Sequence, residues 1–173
     1  KVTGVQTCAL PICRKNAGKT TLVCDLIAAL TQQGLRVATV KHTHHQHELD
    51  VPGKDSWRHR EAGAAAVGIL SPGMVAMFLP QDREQVGQQR YQLFDAVAFQ
   101  DCDLLLVEGD LQADAPRVEV WRAVVGEQPW ATTDNGIVAV VTDDVPLNVS
   151  CPLWSRDEVA GLVSRILQLA GLS

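Results

Sequence analysis

The five residues Ala17-Gly18-Lys19-Thr20-Thr21 constrain this chain more than any other stretch, because they close a phosphate-binding loop and open a helix. Behind them Leu22, Val23, Leu26, Ile27 and Leu30 recur at helical spacing, an apolar stripe for one buried face. Backbone N–H groups at such a helix start cradle phosphate oxygens, the lysine bridges the outer phosphates and the following hydroxyl ligates Mg2+. Asn16, Ala17, Gly18, Lys19, Thr20 and Thr21 are therefore the candidate phosphate contacts, with Thr20 also a candidate Mg2+ ligand. A bare Gly-Lys-Thr triplet could be a chance helix start; the amphipathic run behind it favours the loop.

The approach to this loop fits poorly. Cys13 stands where the pattern asks for glycine, and Arg14 and Lys15 are bulky for a backbone that wraps a phosphate. A buried parallel strand should feed the loop, yet residues 3–13 carry Pro11, which does not belong in a central strand. Residues 4–12 resemble a string of translated sequencing adapter that recurs at the ends of unrelated chains, and no Met opens the sequence. Residues 1–16 are accordingly expected to be a non-native or degraded first strand and loop start, and residues 17–173 a single nucleotide-binding domain.

The length of 173 residues suits one domain with a sizeable core. A formal charge of −5 argues against a nucleic-acid footprint, which needs clustered basic excess, and against a membrane face. No apolar run approaches the ~20 residues that span a bilayer, so a cytoplasmic protein is expected. Five cysteines without a Cys-x-x-Cys pair indicate neither a disulfide framework nor a zinc knuckle.

Gln33-Gly34 ends the first helix, and residues 35–40 read as a second buried strand, the opening of a βαβ unit. Residues 66–70 and 74–79 read as short strands about the turn Ser71-Pro72-Gly73. A helix over 81–100, strands over 118–125 and 137–141, and a closing amphipathic helix over 157–169 complete the pattern. The fold expected is α/β and P-loop NTPase-like: a mostly parallel, doubly wound sheet with helices on both faces and an added β-hairpin.

Leu104-Leu105-Leu106-Val107 followed by Glu108-Gly109 has the form of a strand that delivers one carboxylate to the sheet edge holding the loop's metal. Glu108 is the candidate Mg2+ carboxylate, Asp55 a further one, and Gly109 could bring a backbone N–H to the γ-phosphate. The plain alternative for Glu108 is a surface acid ending a strand. Asp110 is the sole acid close behind and not adjacent, so hydrolysis is expected to be slow or absent. Four of the five histidines fall within residues 42–47, a set that could bind a transition metal or serve as a switch or partner loop. Lys41, His42, His44, His45 and Lys54 are the candidates for that loop, although Lys54 and Asp55 could simply start a capped helix. At the end of strand 137–141, Asp143 could accept from guanine N1–H and its 2-amino group, a donor pair adenine lacks, or be a turn acid.

Two blocks, Lys41-His42-Thr43-His44-His45 and Pro52-Gly53-Lys54-Asp55-Ser56 followed by Arg58 and Ala62-Gly63-Ala64, resemble those of the molybdopterin-guanine dinucleotide biosynthesis adapter (MobB) family. The resemblance continues through residues 104–109 and 138–148, and departs where members carry Phe-Lys after Glu-Gly and this chain has Asp110-Leu111. It implies a GTP-binding adapter in molybdenum cofactor biosynthesis with GTP and Mg2+ as cofactors. It also implies a homodimer that partners the molybdenum cofactor guanylyltransferase. Rival readings are a small-molecule kinase or ATP-dependent ligase on the same fold and a metal-delivery GTPase using the residue 42–47 histidines. A deviant-Walker ATPase would want lysine where Arg14 stands.

Overall fold

In a computed structural model, the chain is described over residues 6–12 (backbone), 17–43, 48–79, 94, 99–112, 115–145 and 148–172. It divides into two compact units, one made of residues 1–43 with 87–173 and the other of residues 44–86.

The larger unit holds a six-stranded sheet with strand order β2-β5-β1-β6-β7-β8, every neighbouring pair parallel. These strands are β1 (Gln6–Ile12), β2 (Val37–Lys41), β5 (Leu104–Glu108), β6 (Arg117–Val120), β7 (Ile137–Val141) and β8 (Leu153–Trp154). The run Leu104-Leu105-Leu106-Val107 shows why the sheet is wrapped on two sides. Alternation sends Leu104 and Leu106 to a core with Leu22, Leu26 and Leu30 of helix α1 (Lys19–Gln32), and Leu105 and Val107 to a second core with Ala38 and Phe99. Helix α3 (Val159–Ala170) packs on the first face through Leu162, Val163 and Ile166. A third cluster gathers Trp121, Ala131, Ile137 and Val140. The expected helix over 81–100 lies outside the described residues except for Phe94, Phe99 and Gln100.

Pro11, which does not belong in a central strand, falls in β1, and β1 lies between β5 and β6. The pairing with β6 slips between Ala9 (opposite Arg117) and Ile12 (opposite Glu119), so three steps on β1 face two on β6. One extra residue next to a proline without an N–H is the arrangement of a bulge, where a missing ladder donor costs least.

The strand expected over 118–125 stops early. Trp121 still donates its N–H to the Val141 carbonyl (3.1 Å), but Asp144 Oδ2 takes the Ala123 N–H (2.8 Å) and residues Ala123–Val125 curl into a 3-10 turn. Short β8 carried too little periodicity to be read from sequence.

A buried acid stands in β6. Glu119, fully enclosed, accepts N–H bonds from Trp130 (2.8 Å) and Ala131 (2.9 Å), capping the short 3-10 helix Trp130–Thr132. Nearby, Arg117 grips both oxygens of Asp134 (2.7 and 2.9 Å) and the Leu111 carbonyl (3.0 Å), and that guanidinium holds the Asp134 carboxyl below its ordinary range.

The smaller unit contains α2 (Asp55–Glu61) and the antiparallel hairpin β3 (Val67–Ser71) and β4 (Met74–Phe78). Buried Asp50 organises the start of α2: its Oδ1 accepts from the Val51 N–H (2.8 Å) and the Ser56 hydroxyl (2.9 Å). Arg60 pairs with Glu48 at 2.7 Å, which lowers the Glu48 pKa, and lies over the Phe78 ring.

Candidate functional site

Every strand of the large sheet is parallel, so the C-terminal ends of β1, β2, β5, β7 and β8 share one edge. Ligands of open α/β sheets bind at that edge. Of the residues expected to hold phosphate and metal, Gly18, Lys19, Thr20, Thr21, Glu108 and Gly109 stand there.

Helix α1 begins directly behind Gly18, whose φ of 90° is a conformation that side-chain-bearing residues avoid. Ala17 is buried, Lys19 is the first helical residue and Thr20 and Thr21 follow on the exposed first turn. Gly18 at its N-cap has no side chain to cap the helix, and the leading N–H groups of a helix are where an anion binds. Asn16 lies outside the described residues.

Glu108, the last residue of β5, is 9% exposed. A carboxylate so enclosed needs strong partners, and its described ones are loose. The Thr20 hydroxyl stands 3.4 Å from Oε1 and the Lys41 Nζ 3.9 Å from the same atom. An octahedral Mg2+ with ligands at ~2.0–2.1 Å puts neighbouring oxygens about 3 Å apart. The Thr20 and Glu108 oxygens thus have the chemistry and spacing of two adjacent Mg2+ ligands.

The backbone beside this pair is tightly drawn. His42 donates its N–H to the Glu108 carbonyl at 2.8 Å, and a Cβ built on Gly109 would sit 3.0 Å from the His42 carbonyl oxygen. Gly109 has φ of 84°, so both its backbone angle and its neighbour require glycine. Lys41, His42, Glu108, Gly109 and Thr20, separated by up to 89 positions in the chain, are in this way brought to one place.

Other expected site residues are placed differently. Asp143 is exposed at the end of β7, and its Oδ1 accepts from the Arg156 N–H (2.8 Å) and the Ser155 hydroxyl (3.2 Å). Lys54 and Asp55 are exposed residues of the smaller unit, at the start of α2. His44 and His45 lie outside the described residues, and among the described residues no three His, Cys, Asp or Glu side chains gather as a metal site. Asp50, Arg156 and Glu119 were not singled out from the sequence. An isolated acid or arginine gives no local signal when its partners are distant in the chain.

The profile of the family described as molybdopterin guanine dinucleotide synthesis protein B matches residues 10–143. The chain belongs to the MobB family. The Escherichia coli (strain K12) molybdopterin-guanine dinucleotide biosynthesis adapter protein is 34% identical to this MobB chain over 151 residues, covering 87% of it and 86% of the relative. The Haemophilus influenzae protein of the same name is 32% identical over 154 residues, covering 89% and 80%. A crystal structure titled molybdopterin-guanine biosynthesis protein B superposes with a TM-score of 0.70 at 26% identity, over 95% of this chain and 99% of that one. The fold is therefore the P-loop-type α/β fold expected, in a MobB protein of molybdopterin guanine dinucleotide biosynthesis. No helix among the described residues is long and apolar enough to cross a membrane.

Proposed function

We propose that this chain is a GTP- and Mg2+-binding adapter of the cytoplasm that serves the guanylyltransferase step of molybdopterin guanine dinucleotide synthesis. The observation that carries the nucleotide reading is the nearly buried Glu108 carboxylate, whose partners among the described residues are the Thr20 hydroxyl at 3.4 Å and Lys41 at 3.9 Å. Such a group gains most from a cation, and the cation gains a phosphate at the start of α1. Lys19 bridges the outer phosphates, Thr20 and Glu108 hold Mg2+ and the Gly109 N–H approaches the γ-phosphate. The bound Mg2+ would neutralise phosphate charge. Asp110, the acid close behind Glu108, is not adjacent to it in the chain, and on that spacing turnover is slow and the nucleotide acts as a binding signal.

Glu108→Gln is the test of the metal side. It should weaken Mg2+-dependent GTP binding by roughly tenfold or more, the worth of a charge-assisted contact, and leave binding in EDTA nearly unchanged. Equal losses with and without Mg2+ would take the metal role from Glu108.

The hairpin supports a homodimer. Leu70 (84% exposed), Met74 (72%) and Val75 (65%) lie open on it, β3 and β4 pair only with each other among the described residues, and neither strand carries a charge. Two strands alone are marginal in water, and an uncharged edge can pair with its own copy about a two-fold axis. Leu70→Glu with Val75→Lys should convert a dimer to monomer in light scattering without loss of GTP binding. A double variant of unchanged mass would place the dimer contact elsewhere.

A further inference from the structure

The turn behind β8 is pinned from two directions. Asp143, just past the end of β7, accepts at one oxygen from both the Arg156 N–H (2.8 Å) and the Ser155 hydroxyl (3.2 Å). The Arg156 guanidinium then reaches α1, where Nη2 donates to Asp25 Oδ2 at 2.6 Å. A continuous chain of charge-assisted contacts therefore runs from the end of β7 to the second turn of the helix whose first turn carries Lys19 and Thr20.

Two features separate this chain from an ordinary surface ion pair. Strands β7 and β8 run parallel to their neighbours, so Asp143, Ser155 and Arg156 stand on the same sheet edge as the start of α1, the edge at which open α/β sheets bind ligands. The second feature is the state of Asp143. With Oδ1 already receiving two donors, Asp143 keeps Oδ2 for a base, and that oxygen can accept from guanine while the turn holds the carboxylate in place. Base binding and the position of the turn are thereby linked. The distance between base and phosphates is set by the ligand, so the wall and the phosphate helix must be held at a matching separation.

We propose that Arg156 is a positioning residue that holds the base-side wall, Asp143 with the turn at Ser155, against the phosphate-binding helix through Asp25. The share of affinity that a nucleotide owes to its base then passes through the Asp25 and Arg156 pair, although neither side chain needs to touch the ligand. The inference rests on the nucleotide reading above and names its specificity device. Arg156 suits the task because a guanidinium presents directed donors, where a lysine would supply a mobile point charge.

The experiment is displacement of a fluorescent GTP analogue in Mg2+ by GTP, ATP and inorganic tripolyphosphate. It uses the full chain, Arg156→Met, Asp25→Asn, Arg156→Lys and the charge exchange Asp25→Arg with Arg156→Asp. Arg156→Met and Asp25→Asn should each weaken GTP about tenfold and narrow the GTP to ATP ratio, as loss of a charge-assisted contact implies. Tripolyphosphate should stay within about twofold and the melting temperature should hardly move, since partly exposed pairs add little to stability. Arg156→Lys and the exchange should each recover part of the GTP loss. GTP and tripolyphosphate weakening in parallel, or GTP affinity unmoved, would overturn the proposal. A wild-type chain that binds neither ligand would remove the nucleotide reading itself, whereas one that binds both, with variants that match it, removes only the role of Arg156.

Discussion

Lys19→Ala is expected to weaken Mg2+·GTP binding by roughly 10- to 150-fold, the equivalent of ~1.5–3 kcal/mol for a lost charge-assisted hydrogen bond to phosphate. Lys19 is the first residue of α1, part-exposed and outside the Leu22, Leu26 and Leu30 stripe that holds the helix to the sheet. Its truncation therefore leaves the core untouched, and Ala is a better helix former than Lys. The melting temperature of the free protein should stay within a few degrees. Isothermal titration with GTP reads the effect directly, and an affinity equal to wild type would remove the phosphate site from the start of α1.

Glu119→Ala should have the largest effect on stability, about 2–6 kcal/mol, because the N–H groups of Trp130 and Ala131 lose their acceptor in a buried place at ~1–3 kcal/mol each. The deleted side chain also leaves a cavity beneath a residue with no exposed surface. Glu119→Gln keeps one acceptor oxygen but turns an amide N–H2 toward a donor, so it should fall between wild type and Ala. Urea unfolding monitored by the fluorescence of Trp121 and Trp130 provides the measurement. A midpoint unmoved in Glu119→Ala would mean that the 129–134 segment finds other acceptors at no cost.

These two residues mark opposite ends of what can be read in a chain. Lys19 sits in a local pattern, a glycine, a lysine and a hydroxyl followed by an apolar helical stripe, and each part acts on its neighbours within a few residues. Glu119 interrupts a run of apolar strand residues, and nothing near it in sequence says that its oxygens meet two N–H groups eleven and twelve positions on.

The same division holds for the site. Glu108 was legible because an unbroken apolar run ending in Glu-Gly places an acid at a strand end, and strand ends of parallel sheets meet ligands. Asp143 was legible as an acid at a strand end for the same reason, but its engagement with Ser155 and Arg156 was not. Short β8, which delivers those partners, has two residues and no period to detect. The missing donor of Pro11 is a local property, whereas the slip that goes with it is against β6, more than a hundred positions away.

Sequence by itself determined the fold class, the helix that opens at Gly18-Lys19, the strand that carries Glu108 and the hairpin, since all of these follow from periodicity and short-range spacing. Only the tertiary structure decided which carboxylates are already occupied and which are poised. Glu108 stands buried with loose partners from Thr20 and Lys41, Glu119 is saturated by backbone, and Asp143 is half spent on the turn that Arg156 ties to Asp25. Whether an acid binds a ligand or its own chain depends on which donors reach it, and donors reach it across the sheet rather than along the chain.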